Sequence, residues 1–233
     1  MEIRVRAGEV CRRCGDLTTF AGGQCRMCCM APPPFERAVA YGPYEGRMRD
    51  AIHAFKYDRL RPAARGLGQM LAAAIAELAD DAPCELLVVP VPLHRAKHRA
   101  RGFNQARLLA AEALAALKRT HREWKLTLAS GMLLRQRATE TQAGLSPHAR
   151  RLNMRGAFHV ADAAAVSGRH ILLIDDIMTT GATARAAARV LRDAGAESVW
   201  VATLARAGRR DGLQAGAVSA EHEEHEQEAS TSK

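Results

Sequence analysis

Apolar positions recur along this chain with two periods that alternate from Glu36 to Ala207, and the alternation predicts an α/β domain. Met48, Ala51, Ile52 and Phe55 place a helix over Gly46 to Tyr57. A second helix follows, with Leu67, Leu71, Ala74, Ile75 and Leu78 on one face. The run ELLVVPV, Glu85 to Val91, is short, apolar and closed by Pro90 and Pro92, as suits a buried strand. Phe103 to Lys118 returns to helical spacing through Ala106, Leu109, Ala113, Leu114 and Leu117. Residues 136 to 153 are polar and rich in Arg, Thr and Gln, an excursion from the core with Ser146-Pro147 as a helix cap and first turn. His170 to Ile174 is a second buried strand, Thr183 to Arg192 an Ala-rich helix stopping near Gly195, and Ser198 to Leu204 a third strand.

The two ends break this pattern. Five of the six cysteines fall between positions 11 and 29, followed by Ala31-Pro32-Pro33-Pro34, a stiff spacer that continues neither a helix nor a central strand. After Gly208 the apolar pattern is lost and the chain ends EHEEHEQEASTSK. The expected organisation is therefore a cysteine-rich unit with its proline linker over 1–34, an α/β domain over 35–208 and a disordered acidic tail over 209–233. No apolar stretch approaches the ~20 residues of a membrane span, since the longest candidates are Leu71 to Ala79 and Ile171 to Ile174. The opening MEIRVRAGEVC lacks the apolar segment of a secretory signal, so a cytoplasmic, reducing compartment is expected.

In such a compartment clustered thiols point to a metal. Cys11, Cys14, Cys25 and Cys28 form C-x2-C-x10-C-x2-C, two knuckles that can aim four thiolates at one point, the closed tetrahedral set that Zn²⁺ prefers in structural sites. Cys29 is an alternative to Cys28 as the fourth ligand. Cys84 stands alone before a strand and is expected to be a buried small hydrophobe.

Composition is otherwise that of a globular protein, 48% hydrophobic and 25% charged. The net charge of +9 is unevenly spread, because residues 209–233 hold three basic against six acidic side chains. The body is thus strongly basic, which suits a polyanionic partner or a phosphorylated small molecule.

The richest chemistry lies in Ile171 to Thr183, ILLIDDIMTTGAT. A buried strand delivers Asp175 and Asp176, and a loop of hydroxyls with one glycine then opens a helix. Amides at that helix start, the Thr179, Thr180 and Thr183 hydroxyls, and a Gly181 that permits close backbone approach make an anion site. Carboxylates beside a phosphate are repulsive, so their presence implies a ligand with hydroxyl donors or a bridging Mg²⁺, and a ribose 5-phosphate meets both demands. Because adjacent strand side chains point to opposite faces, both acids serve one ligand only if the chain is already turning there.

This segment resembles the PRPP-binding signature of type I phosphoribosyltransferases. Together with the cysteine knuckles, VPVPL at Val89 to Leu93, RGFNQ at Arg101 to Gln105, R-x-T-x-x-Q at Arg137 to Gln142, and Arg151 to Phe158 with Asn153, Gly156 and Ala157, it resembles the ComF family over about Cys11 to Arg206. The resemblance implies a type I phosphoribosyltransferase fold, a mainly parallel sheet flanked by helices, behind a small N-terminal zinc ribbon. It implies that Asp175 and Asp176 hold the ribose hydroxyls, and that Met178, Thr179, Thr180, Gly181, Ala182 and Thr183 hold the 5-phosphate. The loop from Val91 onward, with Pro92, Arg95, Lys97 and Arg101, would receive pyrophosphate. The 136–153 excursion would be a lid carrying Arg137, Thr139 and Gln142.

The reaction so implied displaces pyrophosphate from C1 of the ribose, with Mg²⁺ and preorganised cations supplying most of the catalysis. Arg101 and Arg137 join the two aspartates as candidate catalytic residues. Lys56, in HAFKYDRL, either reaches the site from the preceding helix or is a cation favoured by the helix dipole. The family's association with natural competence also implies a different role, a non-catalytic accessory that handles single-stranded DNA beside a helicase and recombination proteins. An aromatic content of 4% does not favour an extended base-stacking surface, so such contacts would be mainly electrostatic. A receiver-like or phosphatase domain would explain the paired acids but not the TTGAT loop.

Overall fold

The computed structural model describes residues 10–16, 23–57, 62–136, 154 and 156–208. A five-stranded sheet organises the chain, formed by β1 (Ala38–Pro43), β2 (Glu85–Pro90), β3 (Lys125–Leu128), β6 (His170–Met178) and β7 (Ser198–Arg206). Its order is β1-β7-β6-β2-β3, and every neighbouring pair is parallel. Two further strands, β4 (Leu133–Arg135) and β5 (Phe158–Val160), pair antiparallel as a separate ribbon. The helices are α1 (Arg26–Met30), α2 (Gly46–Tyr57), α3 (Ala63–Ala76), α4 (Arg95–Arg101), α5 (Gln105–Thr120) and α6 (Ala182–Asp193).

The central strands are nearly continuous aliphatic runs because helices and loops cover both faces of a parallel sheet. Alternation along them then sorts the core into two layers. Leu87, Val89, Ile171 and Leu173 pack with α6, Phe158 of β5 and the four cysteines. Leu86, Val88, Leu172 and Ile174 pack with α2, α3 and α5 on the other face. The cysteine knuckles therefore share a core with the sheet, and the proline spacer leads into Phe35, which is fully buried there.

The helices foreseen from periodicity are present within a few residues of their expected ends, and β2 ends at Pro90 as its prolines require. Strand β6 runs four residues past Ile174, through both aspartates to Met178, so the chain does not turn at Asp175. Elements absent from the periodicity reading are β1, β3, the β4–β5 ribbon, the five-residue helix α1 and the short basic helix α4. Cys84 is exposed rather than buried, because it precedes the first buried position of β2 and follows the loop from α3. Residues 137–153 and 209–233 lie outside the described residues, and with them the expected lid and acidic tail.

Glycine at position 68 lets α3 approach α5 closely. A Cβ at Gly68 would overlap Glu112 Cβ and sit 3.2 Å from the Ala113 backbone nitrogen, whereas one at Gly66 in the same helix would meet nothing within 4 Å. Alanine gains up to about 1 kcal/mol over glycine in a helix interior, while overpacking costs about 1–3 kcal/mol. Gly68→Ala should therefore destabilise and Gly66→Ala stabilise the protein, as read by the shift of the urea midpoint in opposite directions.

Candidate functional site

In a parallel sheet the ligand crevice opens at the carboxyl ends of the strands, where neighbouring strands send the chain in opposite directions. Here that point lies between β2 and β6. After β2 the chain moves outward to β3, and after β6 it moves the other way to β7. A cleft of about 150 Å³ occupies this place. Its walls are Val91, Pro92 and Leu93 after β2, Lys97 and Arg101 of α4, Asn104, Gln105 and Ala106 at the start of α5, Lys56 of α2 and Arg135 of β4. Asp175, Asp176 and Thr183 complete it.

Strand alternation explains how two adjacent acids reach one cleft. Asp176 continues the face of Leu172 and Ile174, which packs on α2, and there the Lys56 Nζ lies 2.8 Å from its Oδ2. Asp175 continues the opposite face and feels the charge of Arg135, while its Oδ1 accepts the Asp176 backbone N–H at 2.9 Å. The cleft straddles the strand end, so the acids stay on their own faces and still serve it. Lys56 fills both roles offered for it, standing in the last turn of α2 and reaching the site.

Burial, reinforced by the neighbouring Asp176 charge, pushes the Asp175 carboxyl up to about 7 against the opposing pull of Lys56 and Arg135. For Lys56, burial alone would lower the pKa, but Asp176 and Asp175 outweigh it and hold the ammonium above its ordinary value. Burial lowers Lys97, helped by the nearby cations Arg135, Arg101 and Lys56. Burial likewise lowers Arg135, whose guanidinium lies 5.5 Å from the centre of the Phe158 ring. The cleft thus has an acidic floor at β6 and a cationic wall at α4 and β4. A ligand with hydroxyls at one end and phosphates at the other matches that polarity. Mg²⁺ is commonly held by one or two carboxylates plus substrate phosphates, and Asp175 and Asp176 offer that number.

Of the residues expected from the sequence, Pro92, Lys97, Arg101, Asp175, Asp176 and Thr183 share this cleft. Arg95 is exposed at the start of α4 and takes no part in its walls. Met178 ends β6, and Thr179 to Gly181 form the turn into α6. Gly181 adopts φ +75°, and the Thr180 Oγ1 accepts the Ala182 N–H at 3.4 Å, so this turn is a compact helix start. Arg137, Thr139 and Gln142 lie outside the described residues. Arg135 was missed, although Leu133 is buried and period-two spacing puts Arg135 on the same side of β4. Asn104 and Gln105, the last two residues of RGFNQ, also line the cleft, although the motif gives them no role of their own.

The cysteines converge as their spacing predicts. The Sγ atoms of Cys11, Cys14, Cys25 and Cys28 lie within 4.8 Å of one another, and all four residues are buried, whereas Cys29 is exposed. Cys28 is accordingly the fourth member. Cys14 and Cys25 Sγ are 3.7 Å apart. A tetrahedron of sulfurs at about 2.3 Å from a zinc ion has edges of about 3.8 Å, so the set can bind a metal ion such as zinc. The electrostatics agree. A hydrogen bond from Cys28 holds the Cys14 thiol down at about 5 despite burial, while Cys28 and Cys25 are raised, so the cluster accommodates one thiolate and resists others until a cation joins it.

This cluster is tied to the end of β6, where the turn into α6 begins, by the buried Arg206. The buried Arg206, last residue of β7, donates from Nη1 to the Met178 carbonyl at 2.9 Å and from Nε to the Cys14 carbonyl at 3.2 Å. Its Nη2 lies 3.2 Å from Asp16 Oδ2. From α6, Arg185 donates to the Ala31 carbonyl at 3.0 Å.

Sheet, switch-point cleft and strand-end acids together define a protein of the phosphoribosyltransferase class, and the family model described as phosphoribosyl transferase domain matches residues 105–226. Among curated proteins the chain is similar to the DNA utilization protein YhgH of Escherichia coli K12, at 33% identity over 199 residues covering 84% of each chain. It is also similar to competence protein F of Haemophilus influenzae, at 28% identity over 207 residues covering 88% of this chain and 87% of that one. Competence protein ComFC of Bacillus subtilis matches at 36% over 121 residues, 52% of this chain and 44% of that one. The chain belongs to the ComF family of competence-associated proteins carrying a phosphoribosyl transferase domain. Among the described residues no helix is long and apolar enough to cross a membrane.

Two outcomes follow from this electrostatic arrangement. Asp175 binds its proton more tightly folded than unfolded, so its ionisation removes stability as pH rises from its ordinary value near 4 to about 7. Asp175→Asn should leave the melting temperature nearly unchanged at pH 4 and raise it progressively to a plateau above pH 7, measured by thermal denaturation across that range. Arg206→Ala leaves the Asp16 carboxylate without its buried counter-charge and should cost about 3–5 kcal/mol in urea denaturation. Hydrogen–deuterium exchange should rise in both residues 10–16 and 178–183, because one guanidinium holds the two segments.

Proposed function

We propose that this protein binds PRPP together with Mg²⁺ and transfers its phosphoribosyl group to a nitrogen acceptor, in the service of DNA uptake. The observation that carries this reading is the polarity of the cleft: Asp175 and Asp176 at the strand end, Lys97, Arg101 and Arg135 across from them. The aspartates accept hydrogen bonds from the 2- and 3-hydroxyls of the ribose, and Lys56, 2.8 Å from Asp176 Oδ2, holds that side chain in place. The turn from Thr179 to Thr183 receives the 5-phosphate, where the N-terminus of α6 favours an anion.

The acceptor nitrogen forms a bond to C1 of the ribose while the C1–O bond to pyrophosphate breaks. The bonding electron pair leaves with pyrophosphate, and the acceptor gives up its proton. Lys97, Arg101 and Arg135 stabilise the charge that develops on the leaving group. Bound Mg²⁺ would neutralise the diphosphate and polarise its bridging oxygen. Zinc at Cys11, Cys14, Cys25 and Cys28 is assigned a structural role, since protein ligands fill all four positions. Arg137, Thr139 and Gln142 are assigned to a lid that excludes water.

A second reading is supported by a different observation. Helix α4 presents Arg95, His98 and Arg99 to solvent, and relatives carry the names DNA utilization protein and competence protein. On this reading the protein is an accessory that holds single-stranded DNA for a competence helicase and recombination proteins, mainly through phosphate contacts. The compartment assigned on either reading is the cytoplasm.

Isothermal titration with PRPP and Mg²⁺ separates the two readings. Binding by the wild type that disappears in Asp175→Asn/Asp176→Asn, with circular dichroism unchanged, is the expected result. Absence of PRPP binding by the folded wild type, together with affinity for single-stranded DNA that falls steeply with salt, would replace the transferase reading with the accessory one.

A further inference from the structure

The turn that opens α6 is tied to the cysteine unit on both of its flanks. Before the turn, the Met178 carbonyl accepts the Ala207 N–H at 3.0 Å and Arg206 Nη1 at 2.9 Å. The same guanidinium reaches the first knuckle through the Cys14 carbonyl and the Asp16 carboxylate, each at 3.2 Å. After the turn, Arg185 of α6 donates from Nη1 to the Ala31 carbonyl at 3.0 Å. Ala31 caps α1 by donating its N–H to the Met27 carbonyl, and α1 carries Cys28 of the second knuckle. Each knuckle therefore holds one flank of the turn through one arginine.

The first arm is well fixed. Ala38 N–H donates to the Arg13 carbonyl at 2.9 Å, which lays the knuckle on β1. Asp16 faces both ways, its backbone N–H bonding the Cys14 sulfur and its carboxylate pairing with the buried Arg206. At the far end, a Cβ on Gly181 would lie 3.1 Å from Met178 Cε, so the Met178 side chain sits directly against the turn. The junction between the two knuckles is less extensive. They meet through Arg12 N–H, which donates to the Gly23 carbonyl at 2.7 Å, and through their sulfurs, with Cys14 and Cys25 Sγ 3.7 Å apart. A metal ion such as zinc held by Cys11, Cys14, Cys25 and Cys28 adds two bonds from each knuckle to that junction. The contacts then run without a break from the turn through Arg206, the first knuckle, the metal, the second knuckle and Arg185 back to the turn.

We infer that metal binding at the cysteines closes a clamp on the turn from Thr179 to Thr183, so that the metal raises the affinity of the turn for a phosphate. By linkage a bound phosphate raises the affinity for the metal by the same factor. A turn already ordered by the clamp has less freedom to lose when the ligand arrives. Arg206 and Arg185 are positioning residues in this scheme, since neither lines the cleft. The inference rests on the reading of this turn as the 5-phosphate site.

The test measures both halves of the linkage on the full chain. Ribose 5-phosphate with Mg²⁺ is titrated calorimetrically into zinc-loaded protein and into protein stripped by a chelator and dialysed. Zinc affinity is measured by competition with a chromophoric chelator, with and without saturating ribose 5-phosphate. In the wild type the two ratios should agree at about 5- to 20-fold, a usual strength of coupling between sites. Arg206→Lys keeps a charge beside Asp16, but one ammonium cannot span both carbonyls as a guanidinium fork does, so its ratio should fall to within about twofold of unity. Arg185→Gln removes the second arm near the surface and should lower the ratio to about 2- to 5-fold. A merely structural role would lower stability or both affinities and leave the ratio unchanged. Arg185→Gln decides the matter alone if Arg206→Lys does not fold. A wild type that binds ribose 5-phosphate and zinc independently, or a ratio that survives in the folded variants, would overturn the clamp and leave the phosphoribosyl reading standing. So would a wild type that binds ribose 5-phosphate but no zinc, or a chain that unfolds entirely on chelation. A wild type that binds zinc but no ribose 5-phosphate would overturn both readings.

Discussion

A guanidinium cannot be buried unless its charge and its N–H donors are met, and Arg206 meets them by joining three parts of the chain that are far apart in sequence. It stands at the end of β7, binds the carbonyl that ends β6, and reaches the first cysteine knuckle through the Cys14 carbonyl and the Asp16 carboxylate. The turn that follows Met178 begins where Arg206 fixes it. The knuckle, for its part, is held against the sheet by the same group and by a core that mixes its four cysteines with Val89, Leu173 and Met178. Order at the cysteine cluster and order at the turn from Thr179 to Thr183 are therefore two ends of one buried contact.

The cleft uses a second constraint, the alternation of side chains along a strand. Because Asp175 and Asp176 point to opposite faces, they acquire different partners, Lys56 for Asp176 and the Arg135 field for Asp175. The paired acid lies in direct contact with the Lys56 ammonium, while its neighbour Asp175 is pushed up by burial and by the nearby Asp176 charge. One strand end thus offers two carboxyl groups in unlike surroundings, one ion-paired with Lys56 and one raised by burial. The raised Asp175 costs stability at neutral pH that asparagine at that one position would not, whereas Asp176 is the counter-charge of the buried Lys56.

The legible parts of this fold were those whose pattern is local. The helices over 46–57, 63–76 and 105–120 and the strands beginning at Glu85, His170 and Ser198 follow from apolar periodicity, which depends on burial of one face or of both. The strands that escaped notice, β1, β3, β4 and β5, are three to six residues long, and β3 at the sheet edge buries no residue completely. Helix α4 escaped for the opposite reason, being short, basic and without a buried residue. At the site, the acids and the Thr-Gly turn were readable because several chemical types stand side by side in thirteen residues. Arg135 was not, because a lone arginine on a three-residue strand has no local signature.

The sequence by itself determined the class of fold, from its alternating periods, and the two cysteine knuckles and the residue types of the strand-end segment, each from spacing within one short stretch. It left open whether Cys28 or Cys29 joins the cluster and whether Lys56 serves the site or only its helix. Tertiary structure decided both, by burying Cys28 and by bringing Lys56 to Asp176 across 120 positions of chain. It also decided that the Gln105 Nε2 is buried at the cleft without a partner among the described residues and that Arg206 binds knuckle to turn. Such facts depend on which distant segments share a sheet edge, and only the order β1-β7-β6-β2-β3 fixes that.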